Sequence, residues 1–83
     1  MGVVKTSIFT IFDHFPENRE MIRRLFVINP DFQALCEDFN QCLKALNYWS
    51  KTDRTDAPGR RQEYLELKNE LELEIIQFLN ESG

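Results

Sequence analysis

His14, Cys36 and Cys42 form the one Cys–His nucleophile arrangement open to this 83-residue chain. The chemistry would be thiolate attack, with the imidazole taking the thiol proton. The same residues also read without chemistry. His14 then closes a helix in solvent, and the two cysteines pack in a core as small apolar side chains. The second reading is adopted, because nothing around the three residues matches a catalytic signature. A metal site needs three or four ligands. One histidine and two cysteines six positions apart, pointing in different directions on a helix, do not supply them. The glycines stand at positions 2, 59 and 83 and build no phosphate loop. The expectation is a chain that is not an enzyme, with no cofactor, no metal and no small-molecule substrate.

Charge offers two other candidates. Arg23-Arg24 and Arg60-Arg61 are basic pairs of the kind that grip phosphate or an acidic partner. Such pairs are more often solvated and make weak surface contacts, and that is the preferred reading. The net charge of −4 disfavours nonspecific nucleic-acid binding, which draws its affinity from Lys and Arg on phosphates. A nucleic-acid or ribonucleoprotein accessory role through Arg23, Arg24, Arg60 and Arg61 stands as the alternative function. The acidity is concentrated in residues 63–83, where Lys68 faces Glu63, Glu66, Glu70, Glu72, Glu74 and Glu81. Glu66, Glu70 and Glu74 recur at i,i+4, a like-charge ridge that costs a few tenths of a kcal/mol per pair. It reads as a solvated face, or more sharply as an acidic ridge that docks a basic partner. Tyr48 and Trp49, between Lys44 and Lys51, resemble a stacking patch for single strands. Trp49 falls on an apolar seam, so packing at a hairpin end is the preferred reading.

The elements that position these groups follow from periodicity. Residues 3–15 are rich in β-branched side chains, which suits a strand. A lone strand would have no partner, and Val4, Ile8, Ile11, Phe12 and Phe15 recur at helical spacing, which predicts a short helix. Phe9, Phe12 and Phe15 could lie on a membrane surface, but Lys5 is the segment's single basic residue, so burial is expected instead. Pro16 and Glu17 open a second helix over 16–28, with Met21, Ile22, Leu25 and Ile28 as its apolar face. Asn29-Pro30 ends it and starts the next, Asn29 as N-cap and Pro30 in the first turn.

In the third helix, 30–50, Phe32, Leu35, Phe39, Cys42, Leu46 and Trp49 alternate at spacings of 3 and 4. That is a coiled-coil or helical-hairpin seam. Polar residues 51–59 form the loop, and Thr55 or Asp56 caps a last helix over 60–80. Its main face is Tyr64, Leu67, Leu71, Ile75, Phe78 and Leu79. Two apolar stripes of similar length bury most simply against each other, antiparallel.

The chain is read as one small domain, 1–83. With 42% apolar and 29% charged residues it belongs to the folded rather than the disordered class. No stretch approaches the about 20 apolar residues of a membrane span, and the N-terminus makes a poor signal peptide. Two thiols build no disulfide framework, so they are read as reduced and the protein as cytoplasmic. "MGVVKT" fits the loose myristoylation pattern of Gly2 with Thr6.

The order of features resembles a family of small bacterial proteins, the YdcH-like proteins. The resemblance is carried by Phe15-Pro16-Glu17, Ile22 and Leu25, then Phe32, Leu35, Asn40 and Leu43, and finally Leu67-Lys68, Leu71, Glu74-Ile75 and Leu79. It spans most of residues 15–79. It implies short helices followed by a coiled-coil hairpin, and brings no activity and no site residues with it. The chain departs from the family in its Phe-rich start and its longer loop.

The expected architecture is therefore all-α: a long antiparallel helical hairpin with one or two short N-terminal helices. Leu65, Leu73 and Ile76 lie off the main seam of the last helix, and Tyr48 lies off that of the preceding one. In so small a chain they call for another contact, which a second copy would supply by forming a four-helix bundle. The expected function is a helical protein–protein interaction module, partnered by itself as a homodimer, by another protein, or by both.

Overall fold

The computed structural model describes the backbone of residues 2–82 and the side chains of residues 8–81. Among the described residues there are four α-helices and no strand: α1 (Gly2–His14), α2 (Arg19–Ile28), α3 (Pro30–Lys51) and α4 (Ala57–Ser82), with a 3-10 turn at Pro16–Asn18 before α2. Residues 3–15 are thus helical rather than extended, with Phe15 leaving the helix. Ile8, Phe12 and Phe15 pack against the core and Ile11 lies inside it. Val4 lies outside the described side chains, as do Gly2 and Thr6 of the myristoylation pattern.

Local chemistry explains the breaks. Proline cannot donate from its nitrogen, so Pro16 sits where no helical bond is required, and the chain turns in 3-10 geometry before α2 proper begins at Arg19. Asn29 has extended backbone angles, φ −121° and ψ 104°. Its side-chain oxygen accepts from the N–H of Asp31 at 3.0 Å and of Phe32 at 3.2 Å, satisfying two otherwise orphaned donors of α3. Its own N–H donates to the Leu25 carbonyl at 2.8 Å and closes α2. The Gln33 side-chain amide donates to the Phe26 carbonyl and ties the two helices at this corner. Asn29→Ala is expected to cost about 1 kcal/mol, read as a lowered urea midpoint at unchanged m-value, and Asn29→Asp should recover most of it.

The loop is shorter than residues 51–59. The Thr52 N–H donates to the Tyr48 carbonyl and closes α3, while the Arg60 N–H donates to the Asp56 carbonyl, both at 3.1 Å. Asp56 is therefore the residue that α4 grows from, and Pro58 and Gly59 fall in its first turn, where a missing N–H costs nothing. The helix that the sequence places at 60–80 runs from Ala57 to Ser82.

α3 is the central element, touching α1, α2 and α4. Phe32 and Phe39 are fully buried on it, and Ile11, Ile22 and Ile75 meet the same core from the other three helices. The Phe32 ring lies edge-on to Phe78 at 5.4 Å, and the Cys42 Sγ donates to the Tyr64 carbonyl at 3.1 Å. α1 is keyed to α3 by the Thr10 hydroxyl, which donates to the buried Asn40 side-chain oxygen at 2.9 Å. Among the described side chains, every buried hydrophobic residue apart from Ala57 lies within 11–42 or 71–79. The molecule is elongated, 43 × 27 × 21 Å. Ala57 aside, the loop ends of α3 and α4 contribute half-buried side chains such as Leu43, Leu46 and Tyr64.

The inner face of α2 consists of Ile22, Leu25 and Phe26. Ile28, expected on that face, is 69% exposed. Six residues beyond Ile22 it is rotated about 120° away, whereas Phe26 at i+4 is nearly in line.

Candidate functional site

The thiols sit in surroundings that oppose nucleophilic chemistry. Cys36 is completely buried. Burial, with a smaller contribution from the Glu37 carboxylate, pushes its thiol up to about 12. Cys42 is also raised by burial, with Lys68 pulling the other way. Both are free thiols. His14 is exposed at the end of α1. Its Nδ1 lies 3.1 Å from the Thr10 carbonyl, and its ring is edge-on to Phe39 at 5.1 Å. Among the described residues no group of three or more His, Cys, Asp or Glu is placed to hold a metal ion.

The basic pairs fall on separate helices. Arg23 and Arg24 line a shallow groove of about 320 Å³ with Glu20, Val27 and Ile28. Arg61 lines a different one at the loop end, with Trp49, Arg54 and Pro58. Arg60 is held along its own helix by Asp56 at 3.9 Å and Glu63 at 3.5 Å. Trp49, expected on the seam, is half-buried. It stands edge-on to Tyr48 at 4.9 Å, with the Arg54 guanidinium over its ring at 5.4 Å.

The remaining surface is apolar and acidic on α4. Leu65, Leu73 and Ile76 are exposed, Leu73 at 67%. Tyr48 is exposed on α3. Glu66, Glu70 and Glu74 are exposed one turn apart on α4, and the Gln62 side-chain amide donates to Glu66 at 3.0 Å. Glu72 sits apart from this ridge, 3.8 Å from the Lys68 ammonium. Among the described residues no helix is long and apolar enough to cross a membrane.

Some of this surface escaped sequence reasoning. Val27 is 72% exposed beside Ile28, so α2 carries an apolar patch next to its arginines. Leu67, expected on the main seam, is exposed too. The α3 residues lining its groove of about 310 Å³ are Asp38, Gln41, Cys42 and Ala45, too short or too polar to cover it. The signal for the α2 patch was present in the i, i+3, i+4 spacing of Ile22, Leu25 and Phe26, which turns Val27 and Ile28 outward. No family model, no curated protein and no solved structure matches the chain.

Proposed function

We propose that this chain is a non-enzymatic helical protein–protein interaction module that self-associates through the outer face of α4. In this reading α3 and α4 act as the arms of an antiparallel, coiled-coil-like hairpin, and a second copy completes a four-helix bundle. The facing pairs Phe32–Phe78 and Cys42–Tyr64 support the hairpin. Membership of the YdcH-like proteins is part of the same proposal and rests on the feature order from Phe15-Pro16-Glu17 to Leu79.

One observation carries the reading. Leu65, Leu73 and Ile76 are exposed on a single helix of a chain that has little core to spare. Scattered exposed leucines need no explanation, but three on one face of one helix present a surface that gains free energy when covered. The acidic ridge of Glu66, Glu70 and Glu74 beside it sets the preferred partner surface as basic.

The test is the solution mass by light scattering over a concentration series. A dimer is expected, and Leu73→Glu should weaken it on the order of a hundredfold in Kd, because it places a charge where an apolar side chain is covered. Circular dichroism of the variant should be unchanged, since Leu73 makes no part of the core. A wild-type chain that stays monomeric at every concentration would sink the self-association reading.

A further inference from the structure

Resting on that self-association reading, we propose that α2 and α4 are the two complementary halves of a twofold-symmetric dimer contact. The outer face of α2 in one copy, Arg23, Arg24, Val27 and Ile28, seats on the outer face of α4 in the other, Glu70, Leu73, Glu74 and Ile76. The α2–α4 contacts then hold the two α3–α4 hairpins of the bundle together.

Both faces combine exposed aliphatic side chains with charge, and the charges are opposite. On α2 two arginines flank Val27 and Ile28, with Glu20 the groove's single acidic side chain. On α4 Ile76 and Leu73 stand side by side, and Glu70 and Glu74 of the ridge follow on the Leu73 side. The lengths agree as well: at 1.5 Å per residue, 70–76 spans about 9 Å of helix and 23–28 about 8 Å. Apolar side chains would meet at the centre and arginine–carboxylate pairs at the rim, the division found in specific interfaces.

The two faces cannot meet within one molecule. α2 turns Ile22, Leu25 and Phe26 into the core, and α4 turns Leu71, Ile75 and Leu79 into it. The faces in question therefore point outward on both helices. A second copy is the occupant that carries both halves on one chain. The contact must also be made twice. A stable interface buries about 1,200 Å² or more, beyond what one ten-residue helix supplies, and a twofold axis repeats each α2–α4 contact at once. A nucleic-acid partner for the Arg23-Arg24 pair is disfavoured by the acidic ridge carried on the same chain.

Charge reversal tests the pairing. Sedimentation equilibrium at low ionic strength should show the dimer weakened about tenfold or more in Kd by R23E/R24E, and likewise by E70R/E74R. The quadruple variant, with both charge sets exchanged, should return to within a few-fold of wild type. All four side chains are exposed, so helical content by circular dichroism should stay constant. A dimer indifferent to R23E/R24E, or a quadruple variant no better than either double, overturns the pairing. If Leu73→Glu still dissociates such a dimer, the self-association reading stands and this geometry alone falls. A monomeric wild type overturns both.

Discussion

Phe39→Ala is expected to remove about 3–5 kcal/mol of stability, the range for deleting a buried aromatic ring. A domain of 83 residues holds about 4–12 kcal/mol in all, so the variant should be largely unfolded at body temperature or close to it. Phe39 is completely buried on α3, the helix that every other helix touches. Its ring also carries His14 edge-on at 5.1 Å, so its loss loosens the end of α1 along with the core. At an m-value of about 2 kcal/mol/M, the urea midpoint should fall by about 2 M. Phe9→Ala is the control. Phe9 is 61% exposed and touches Phe12 edge-on at 6.1 Å, so its removal should cost about 0.5 kcal/mol or less. Both proteins are to be compared at one chain concentration, because an associating chain gains apparent stability with concentration. Equal losses from the two variants would mean that α3 is not the centre of the fold.

The second large effect concerns Cys36. With its thiol pushed up to about 12, the native thiolate population at pH 8 is about a thousandfold below that of an unfolded chain. Alkylation with iodoacetamide should therefore reach Cys36 only through opening of the fold, and speed up sharply in denaturant. Cys42 should be modified ahead of it, because it borders the α3–α4 groove and Lys68 favours its thiolate. Peptide mapping after timed quenching gives the order, and labelling of native Cys36 at the unfolded rate would contradict it.

The same shift predicts the pH dependence of stability. Below the ordinary thiol range, near 8.5, both folded and unfolded chains keep the Cys36 proton and the shift has no effect on pH dependence. Between there and about 12 the unfolded thiol ionises while the native one does not. The folded state then binds more protons, so stability falls with rising pH, by about 1.4 kcal/mol per pH unit from this group. Cys36→Ala should flatten that alkaline slope while leaving the slope at neutral pH unchanged.

What the sequence made legible divides along the range of the physics involved. Asn29-Pro30 was readable as a break and a cap because both effects act within three residues. The α-helical character of 3–15 was readable once a strand had no partner to pair with. The inward positions Phe32, Leu35, Phe39 and Cys42 were readable because apolar side chains recurring at spacings of 3 and 4 share one face of a helix. Other features depend on what another helix happens to offer. Leu67 shares its side of α4 with Leu71, yet lies exposed because α3 presents Asp38 and Ala45 there. Trp49 continues the seam on paper, but in the fold it pairs with Tyr48 and Arg54 beyond the reach of the core. Thr10 and Asn40 are 30 positions apart, and no local pattern announces their hydrogen bond. Of the candidate surface, Leu65, Leu73, Ile76 and Tyr48 could be named from helical angle alone. Val27 was legible only through the i, i+3, i+4 spacing of Ile22, Leu25 and Phe26, because within the run Leu25-Phe26-Val27-Ile28 apolar character alone does not say which side chains face outward.

The uneven distribution of buried side chains has a dynamic consequence. Residues 11–42 and 71–79 share one core, whereas the turns on either side of the loop reach it only through partly buried side chains such as Leu43 and Tyr64. Opening those turns exposes little apolar surface and leaves the core intact, so it costs a fraction of the global unfolding free energy. The chain is thus built in two tiers, a firm base and a tip expected to open first, which amide exchange faster at 44–51 than at 32–42 would register. Whatever binds the tip pays the entropy of holding it still, while a partner on the base meets a surface already fixed.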